Sequence, residues 1–376
     1  MTEGADSRRV AVEALARIEA GKAYANLALG PILERSGLDE RDRAAVTDLV
    51  YGTLRYRRAC DFLVDRFLSS PPPAVARAAL RVGAYQLHFA GTAPHAAVSA
   101  TVAAVPQRFR GLVNAVLRKV ATADVNWPDE ATRLSYPDWI VDRLVADLGE
   151  ADALAALATM NTAPSVTRRE DGYTQDLASQ WVADAVEVAD GDVVADVCAA
   201  PGGKATAMAA AGARVVAVDL RPGRVGLVAR NAEVLGAAVL PVAGDGTAPP
   251  LRPRSFDRVL VDAPCSGLGV LRRRADARWR VTQADVDELA ALQATLLDAA
   301  SALVRDGGVL VYSVCTLTRA ETITQAAAFG ERHPEATALA SLAGSWRPLP
   351  GGGLVLPQDA GTDGMATFRW RIRSSA

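Results

Sequence analysis

Apolar residues recur at helical spacing through the first third of the chain and give way to near-continuous aliphatic runs after Asp190. Ser7 is expected to cap a helix that runs to about Glu19, and a second apolar period spans Tyr24 to Arg35 before Gly37. Asp39 and Asp42 open a longer helical stretch, LDERDRAAVTDLVYGTLRYRRACDFLVDRFL, which stops at Pro71 to Pro73. Helices over 74–89, 95–104 and 108–121 complete an all-helical bundle, so residues 1–123 are predicted as one domain. His88 and His95 flank a turn at Gly91 to Pro94 and are read as packing or capping residues. Residues 124–189 form a mixed connector with short helices near 137–147 and 151–160 and an extended SVTRR.

From 190 to 376 the pattern alternates. Strands are predicted over 192–199, 213–220, 238–245, 256–263 and 307–315, with amphipathic helices near 203–211, 222–236 and 283–305. Valine- and alanine-rich strands alternating with helices indicate a parallel sheet covered on both faces. A doubly wound sheet of this kind takes its ligands beyond the carboxyl ends of the strands, so the informative residues should lie there.

Composition narrows the class. The chain has 376 residues, half of them hydrophobic, which is enough for two or three domains with a sizeable core. No run of about 18 apolar residues occurs, and no apolar stretch follows the first arginines, so no membrane span or signal peptide is predicted and the cytoplasm is the expected location. The four cysteines stand far apart with no CxxC pair, and only three histidines could assist, so neither a disulfide framework nor a metal site is expected. A net charge of -2 hides an uneven distribution: no Asp or Glu occurs between Arg66 and Ala123, where Arg66, Arg77, Arg81, Arg108, Arg110, Arg118 and Lys119 stand. Gathered on one surface they would favour a polyanion; spread around several helices they would form no patch. Arg272, Arg273, Arg274, Arg278 and Arg280 form a second basic run, either a candidate for a polyanion's phosphates or a solvated surface run.

The strand ends carry the candidate chemistry. After the first strand comes Cys198-Ala199-Ala200-Pro201-Gly202-Gly203-Lys204, small residues that let a backbone approach a ligand at a helix start. The run matches neither GxGxxG nor the phosphate-binding P-loop. Asp219 ends the second strand at the position suited to ribose hydroxyls, and Asp245 follows the third, within reach of an adenine. Together they point to S-adenosylmethionine. The fourth strand ends in Asp262 and Cys265 and the fifth in Cys315; neighbouring strands would bring both thiols to one cleft. Nearby arginines and loop amides are expected to lower a thiol pKa there. Thiols beside a methyl donor suit the methylation of cytosine, whose carbon 5 becomes nucleophilic once a thiolate adds to carbon 6. An acid beside the ring's N3 and amino edge would help, and Asp262 is placed for it.

DVCAAPGGK (196–204), VDAPCSGLGV (261–270) and YSVCTL (312–317) resemble the signature motifs of the RsmB (Sun/Fmu) family of small-subunit (16S) ribosomal RNA cytosine-5 methyltransferases. TQDLASQ (174–180), GTDGM (361–365) and VNAVLRK (113–119) extend the likeness to nearly the whole chain. The resemblance implies an α/β fold: a Rossmann-like S-adenosylmethionine-dependent methyltransferase domain preceded by an all-α NusB-like bundle and the connector. It implies Cys315 as the nucleophile and Cys265 as the group that assists release. Cys198 to Lys204, Asp219, Asp245 and Asp262 would line the cofactor site, small-subunit ribosomal RNA would be the partner, and a monomer is expected. Two departures stand out: Val314 replaces a common threonine before the nucleophile, and Ala366 and Thr367 follow GTDGM where an aromatic is usual. Other readings are a transfer-RNA or DNA methyltransferase, and a non-catalytic RNA-binding assembly factor. Cys315 speaks against the DNA enzyme, the NusB-like part against the transfer-RNA enzyme, and the intact motifs against the inactive factor.

Overall fold

The computed structural model describes residues 5–21, 24–339 and 342–373. Two compact units emerge: residues 1–141 with 271–280, and residues 142–270 with 281–376.

The first unit is helical: α1 (Ala5–Ala20), α2 (Ala25–Arg35), α3 (Glu40–Arg55), α4 (Arg57–Asp65), α5 (Ala74–His88), α6 (Pro94–Ala103), α7 (Gln107–Thr122) and α8 (Glu130–Leu134). Leu15, Val50, Leu63, Leu80 and Leu117 lie in one apolar core. Asp39 caps α3 by accepting from the Asp42 amide at 2.8 Å. Ser7 does not cap; it sits inside α1 and donates to Asp42 Oδ1 at 2.7 Å. The stretch read as one long helix breaks at Tyr56 (φ -100, ψ 23), whose ring stacks on Phe89 with centroids 4.0 Å apart.

The structure separates the arginines of the two basic stretches. Arg81 pairs with Asp61 (2.7 Å) and Glu19, and Arg77 with Asp61 (3.3 Å) and Asp65. Those carboxylates lie outside the acid-free window, so tertiary structure neutralises what the local sequence leaves positive. Arg272 and Arg278 are buried. Arg278 lies 3.9 Å from the centre of the Tyr136 ring and donates to the carbonyls of Arg55 (3.1 Å) and Ser135 (3.3 Å). Arg55 Nη2 donates to Arg272 O at 2.9 Å, and the Trp279 indole N–H donates to Leu54 O at 2.7 Å. Segment 271–280 thus packs into this unit, with Arg273 and Arg280 half-buried and Arg274 exposed. On α7, Arg108, Arg110, Arg118 and Lys119 do remain exposed.

Further along the chain come α9 (Asp138–Leu148), α10 (Glu150–Thr159) and α11 (Leu177–Asp184). The second unit is then built on β1 (Val193–Val197), α12 (Gly203–Ala210), β2 (Arg214–Asp219), α13 (Pro222–Leu235), β3 (Val239–Ala243), β4 (Phe256–Asp262), α14 (Gln283–Ser301), β5 (Val304–Val314) and α15 (Ile323–Arg332). Helix α14 stops at Ser301, earlier than its apolar period suggests, because Val304 already pairs with Phe256 of β4. Four strands that periodicity did not reveal follow: β6 (Ala336–Ala338), β7 (Arg347–Leu349), β8 (Gly352–Val355) and, after the short α16 (Pro357–Ala360), β9 (Met365–Ile372).

The sheet order is β3-β2-β1-β4-β5-β9-β8-β7, with β1 to β5 joined in parallel and β9 antiparallel to β5. Ala366 is fully buried opposite Val314 in the β5–β9 ladder, and Thr367 faces Ser313. Both departures from the expected motif therefore sit in the sheet core, where small and β-branched residues pack well. The chain reverses its winding between β1 and β4, so the crevice for a ligand opens at the carboxyl ends of those two strands.

Candidate active site

The loop after β1 is held by backbone bonds. The amides of Cys198 and Ala199 both donate to Val218 O at 2.9 Å. Gly202 has φ +103, and a Cβ there would stand 3.2 Å from the Val228 backbone. A Cβ on Gly203 would meet the Tyr173 ring at 2.9 Å. Glycine is therefore needed twice, once for conformation and once for space. Asn231 Nδ2 donates to Pro201 O and Arg224 Nη2 to Ala200 O, each at 2.8 Å.

Lys204, in the first turn of α12, reaches across to the end of β4, where its Nζ lies 2.6 Å from Asp262 Oδ2. Ser313 Oγ of β5 donates to Asp262 Oδ1 at 3.2 Å. Burial alone would lower the Lys204 pKa, but the charge and hydrogen bond of Asp262, then Asp196 and Cys315, raise it above its ordinary value. A persistent ammonium group thus faces two carboxylates and a thiol.

Beside this pair lies a cavity of about 150 Å³ whose lining includes Tyr173, Gln175, Asp196, Ala200, Lys204 and Asp262. Asp196, on β1, is fully buried, and neither carboxylate oxygen has a hydrogen-bond partner. Burial, then the Asp262 charge, push its pKa up to about 7 against the pull of Lys204. Buried carboxylates without partners are costly, so a cationic ligand group is the natural complement. The cavity, the glycine cradle and this orphaned acid fit the amino-acid end of S-adenosylmethionine.

The other expected cofactor residues are arranged differently. Asp219, at the end of β2, accepts from the amides of Ala200 and Arg221, both at 3.2 Å, and pairs with Arg224 at 3.3 Å. Asp245 is exposed and bound into its own turn by the Thr247 amide (2.9 Å) and hydroxyl (2.7 Å), which hold its pKa below the usual range. Asp196 was missed as a ligand group by sequence reasoning, although its place at a strand end was visible. Arg169 and Tyr173 were missed as well. Arg169 lies over the Tyr173 ring and donates to Gly203 O and, at 3.1 Å, to Thr206 Oγ1. No pattern marked them.

The two thiols meet. Cys265 Sγ and Cys315 Sγ are 3.3 Å apart, in loops that leave adjacent strands. The expected lowering of a thiol pKa is not found at Cys265, which is pushed well above its ordinary value by its hydrogen bond to Cys315 and then by burial. Cys198 is raised to about 12 by burial, then by Asp196. At Cys265 the Gly267 amide, and at Cys198 the Arg224 charge, pull the other way and are outweighed. Cys265 is therefore a thiol that can donate to its neighbour's sulfur. Gly269 closes the arrangement: its amide donates to Cys315 O at 3.1 Å, and its carbonyl accepts from the Gly364 amide at 2.9 Å.

Residues 183–368 match the family model described as 16S rRNA methyltransferase RsmB/F, and residues 5–122 match the NusB family. A putative methyltransferase of Mycobacterium tuberculosis is 38% identical over 87% of this chain and 87% of its own. The ribosomal RNA small subunit methyltransferase B of Thermus thermophilus is 37% identical over 87% of this chain and 88% of its own. Among solved structures, NSun6 from Pyrococcus horikoshii with SFG, an analogue of S-adenosylmethionine, is 29% identical with a TM-score of 0.50, covering 56% of this chain and 57% of that one. The fold of PH0851 covers 98% of both chains with a TM-score of 0.79 at 21% identity.

Proposed function

The chain belongs to the 16S rRNA methyltransferase RsmB/F family and uses S-adenosylmethionine, and from that premise we propose that it methylates carbon 5 of a cytosine in small-subunit ribosomal RNA through a covalent cysteine adduct. The observation that carries this reading is the contact between the Cys265 and Cys315 thiols at 3.3 Å, with Lys204 and Asp262 beside them. In this reading residues 1–123 bind RNA, 124–189 connect, and 190–376 carry the reaction, in a cytoplasmic monomer.

When bound, S-adenosylmethionine supplies an electrophilic methyl group. Asp196 would accept its ammonium group, the backbone of 198–204 would surround its amino-acid end, Asp219 would face the ribose and Asp245 the adenine. Cys315, as its thiolate, forms a bond to carbon 6 of cytosine, and the displaced electron pair moves toward N3, where the Lys204 ammonium group held by Asp262 offsets the negative charge while Asp262 accepts from the neighbouring amino group. Carbon 5 then takes the methyl group. Its proton leaves to water, the carbon 5 to carbon 6 double bond re-forms, and the bond to sulfur breaks. Cys265 keeps its proton and donates to the departing Cys315 thiolate, which favours the free over the bound state of the sulfur. A nucleotide must be unpaired or flipped out for this attack.

Cys315→Ala is expected to abolish methyl transfer; full activity in that variant would remove the nucleophile. Cys265→Ala is expected to leave a protein–RNA adduct on denaturing gels, because the leaving thiolate has lost its donor. An adduct with Cys315→Ala and none with Cys265→Ala would reverse the roles. Bisulfite sequencing of ribosomal and transfer RNA, with and without the protein, identifies the target class. An unchanged map would favour a non-catalytic RNA-binding factor.

A further inference from the structure

Glu321 is fully buried, although no step so far uses it. It lies in the short turn Arg319–Glu321 that follows the Cys315 loop. Its Oε1 accepts from the Ser266 amide at 2.8 Å and from Gln293 Nε2 at 3.1 Å. Its Oε2 accepts from the hydroxyls of Ser266 (2.5 Å), Thr316 (3.0 Å) and Thr318 (2.8 Å). Five neutral donors converge on one carboxylate, and the Ser266 and Thr316 hydroxyls are also 2.8 Å from each other. Behind this ring, the Tyr312 hydroxyl donates to Glu321 O at 2.7 Å, and Gln293 Nε2 also donates to Pro264 O at 2.9 Å.

The position of these donors in the chain is what gives the cluster a role. Ser266 follows Cys265 and Thr316 follows Cys315, so each thiol is chained to a hydroxyl that grips the same carboxylate. A buried acid so fully satisfied is a rigid joint, since removing it would orphan several donors at once. Glu321 also acts through its charge. Among the described residues, Cys315, Glu321 and Tyr312 are titratable groups that face Cys265; after the Cys315 hydrogen bond and burial, the charges of Cys315 and Glu321 hold the proton on Cys265. Lys204, on the other side, interacts with Cys315. The Glu321 carboxylate thus acts on Cys265, and the Lys204 ammonium group and Cys315 act on each other.

Resting on the two-thiol reading above, we propose that Glu321 is a positioning residue for release of the methylated RNA: its carboxylate locks the Cys265 and Cys315 loops into one frame and keeps the Cys265 S–H directed at Cys315 Sγ. The reaction then has a division of labour that two equivalent cysteines would lack. One sulfur adds and leaves, and the other remains a donor throughout.

Glu321→Gln keeps the volume and removes the charge, while Thr318→Val removes one donor and keeps the charge. In Glu321→Gln, kcat is expected to fall by about tenfold or more with KM for RNA within about twofold, the cost of a slightly misplaced group. The RNA adduct should persist on denaturing gels, as in Cys265→Ala, and the alkaline limb of the pH–rate profile should move to lower pH. Thr318→Val should change in the same direction by less, and it decides the matter if melting curves show Glu321→Gln unfolded. Glu321→Asp should recover part of the release rate. Wild-type turnover, adduct level and alkaline limb in a folded Glu321→Gln, or in Thr318→Val where Glu321→Gln does not fold, would overturn the role of Glu321. An adduct in Cys265→Ala with none in Glu321→Gln would overturn it too, and would leave the two-thiol reading standing. No adduct in Cys265→Ala while the wild type methylates RNA would overturn the two-thiol reading itself.

Discussion

At the residue scale the decisive group is Asp196, a fully buried acid with no partner for either oxygen. Its pKa of about 7 lies far above the ordinary value of 3.8, first through burial and then through Asp262. For an acid raised in the folded state, the folded form holds its proton where the unfolded form has lost it. The contribution to stability is therefore full below pH 3.8 and is lost as the pH rises through about 7, a penalty of roughly 4 kcal/mol above that point at 1.4 kcal/mol per unit. A cationic ligand reverses the balance, because it pairs with the ionised form. Affinity for S-adenosylmethionine is expected to weaken about tenfold from pH 8 to pH 6, as the ionised fraction falls below pH 7. Calorimetric titration at both pH values checks this. Asp196→Asn should bind more weakly at pH 8, lose the pH dependence, and melt at a higher temperature than the ligand-free wild type. An unchanged pH dependence in that variant would assign it to another group.

At the element scale the active loops are spaced by glycine. A Cβ on Gly269 would fall 2.1 Å from Gly364 O and 3.0 Å from Cys315 O, both backbone atoms that cannot swing aside. At Gly267, by contrast, φ is +71 and the nearest atom to a Cβ is a Val270 methyl at 3.6 Å. Gly267→Ala should therefore cost about 1 kcal/mol of backbone strain, whereas Gly269→Ala should cost about 3 kcal/mol or more. Denaturant melts would rank them, and loss of methyl transfer with cofactor affinity intact is expected for Gly269→Ala alone. Equal effects would mean that the crossing of the three loops is loosely packed. The first five strands were legible in the sequence because each is written as an aliphatic run, largely buried in β1, β2, β4 and β5 and half-buried in the edge strand β3. The strands from β6 to β8 were not, since β6 and β7 are three residues long and β8 begins with paired glycines. The break at Tyr56 was also hidden, because it depends on Phe89, far along the chain. Asp262, Lys204 and both thiols could be read from their motifs. Glu321 could not, because a single acid in a polar turn carries no signal until five donors are seen to meet on it.

At the scale of the whole molecule, the question is where a polyanion would find positive charge. Of the arginines that the sequence offered, Arg81 and Arg77 are consumed by carboxylates and Arg272 and Arg278 by the interior, so charge counting along the chain overstated the surface. Helix α7 is different: Arg108, Arg110, Arg118 and Lys119 are exposed, and QRFRGLVNAVLRKVAT contains no acid. Its visible contacts leave the charges in place, since Arg118 donates to Asn114 Oδ1 at 3.2 Å and Arg108 lies over the Phe109 ring. If these side chains meet phosphates, Arg118→Ala with Lys119→Ala should weaken RNA binding and flatten the plot of log affinity against log salt by about 0.7–0.9 per lost contact. The loss should be largest at low salt and should leave cofactor binding unchanged. Arg278→Ala provides the contrast, because it deprives the carbonyls of Arg55 and Ser135 of a donor and uncovers Tyr136. That variant should lower stability by roughly 3 kcal/mol and leave the salt slope as it was. A slope unchanged by the α7 substitutions but reduced by Arg278→Ala would move the RNA surface from α7 to the segment 271–280.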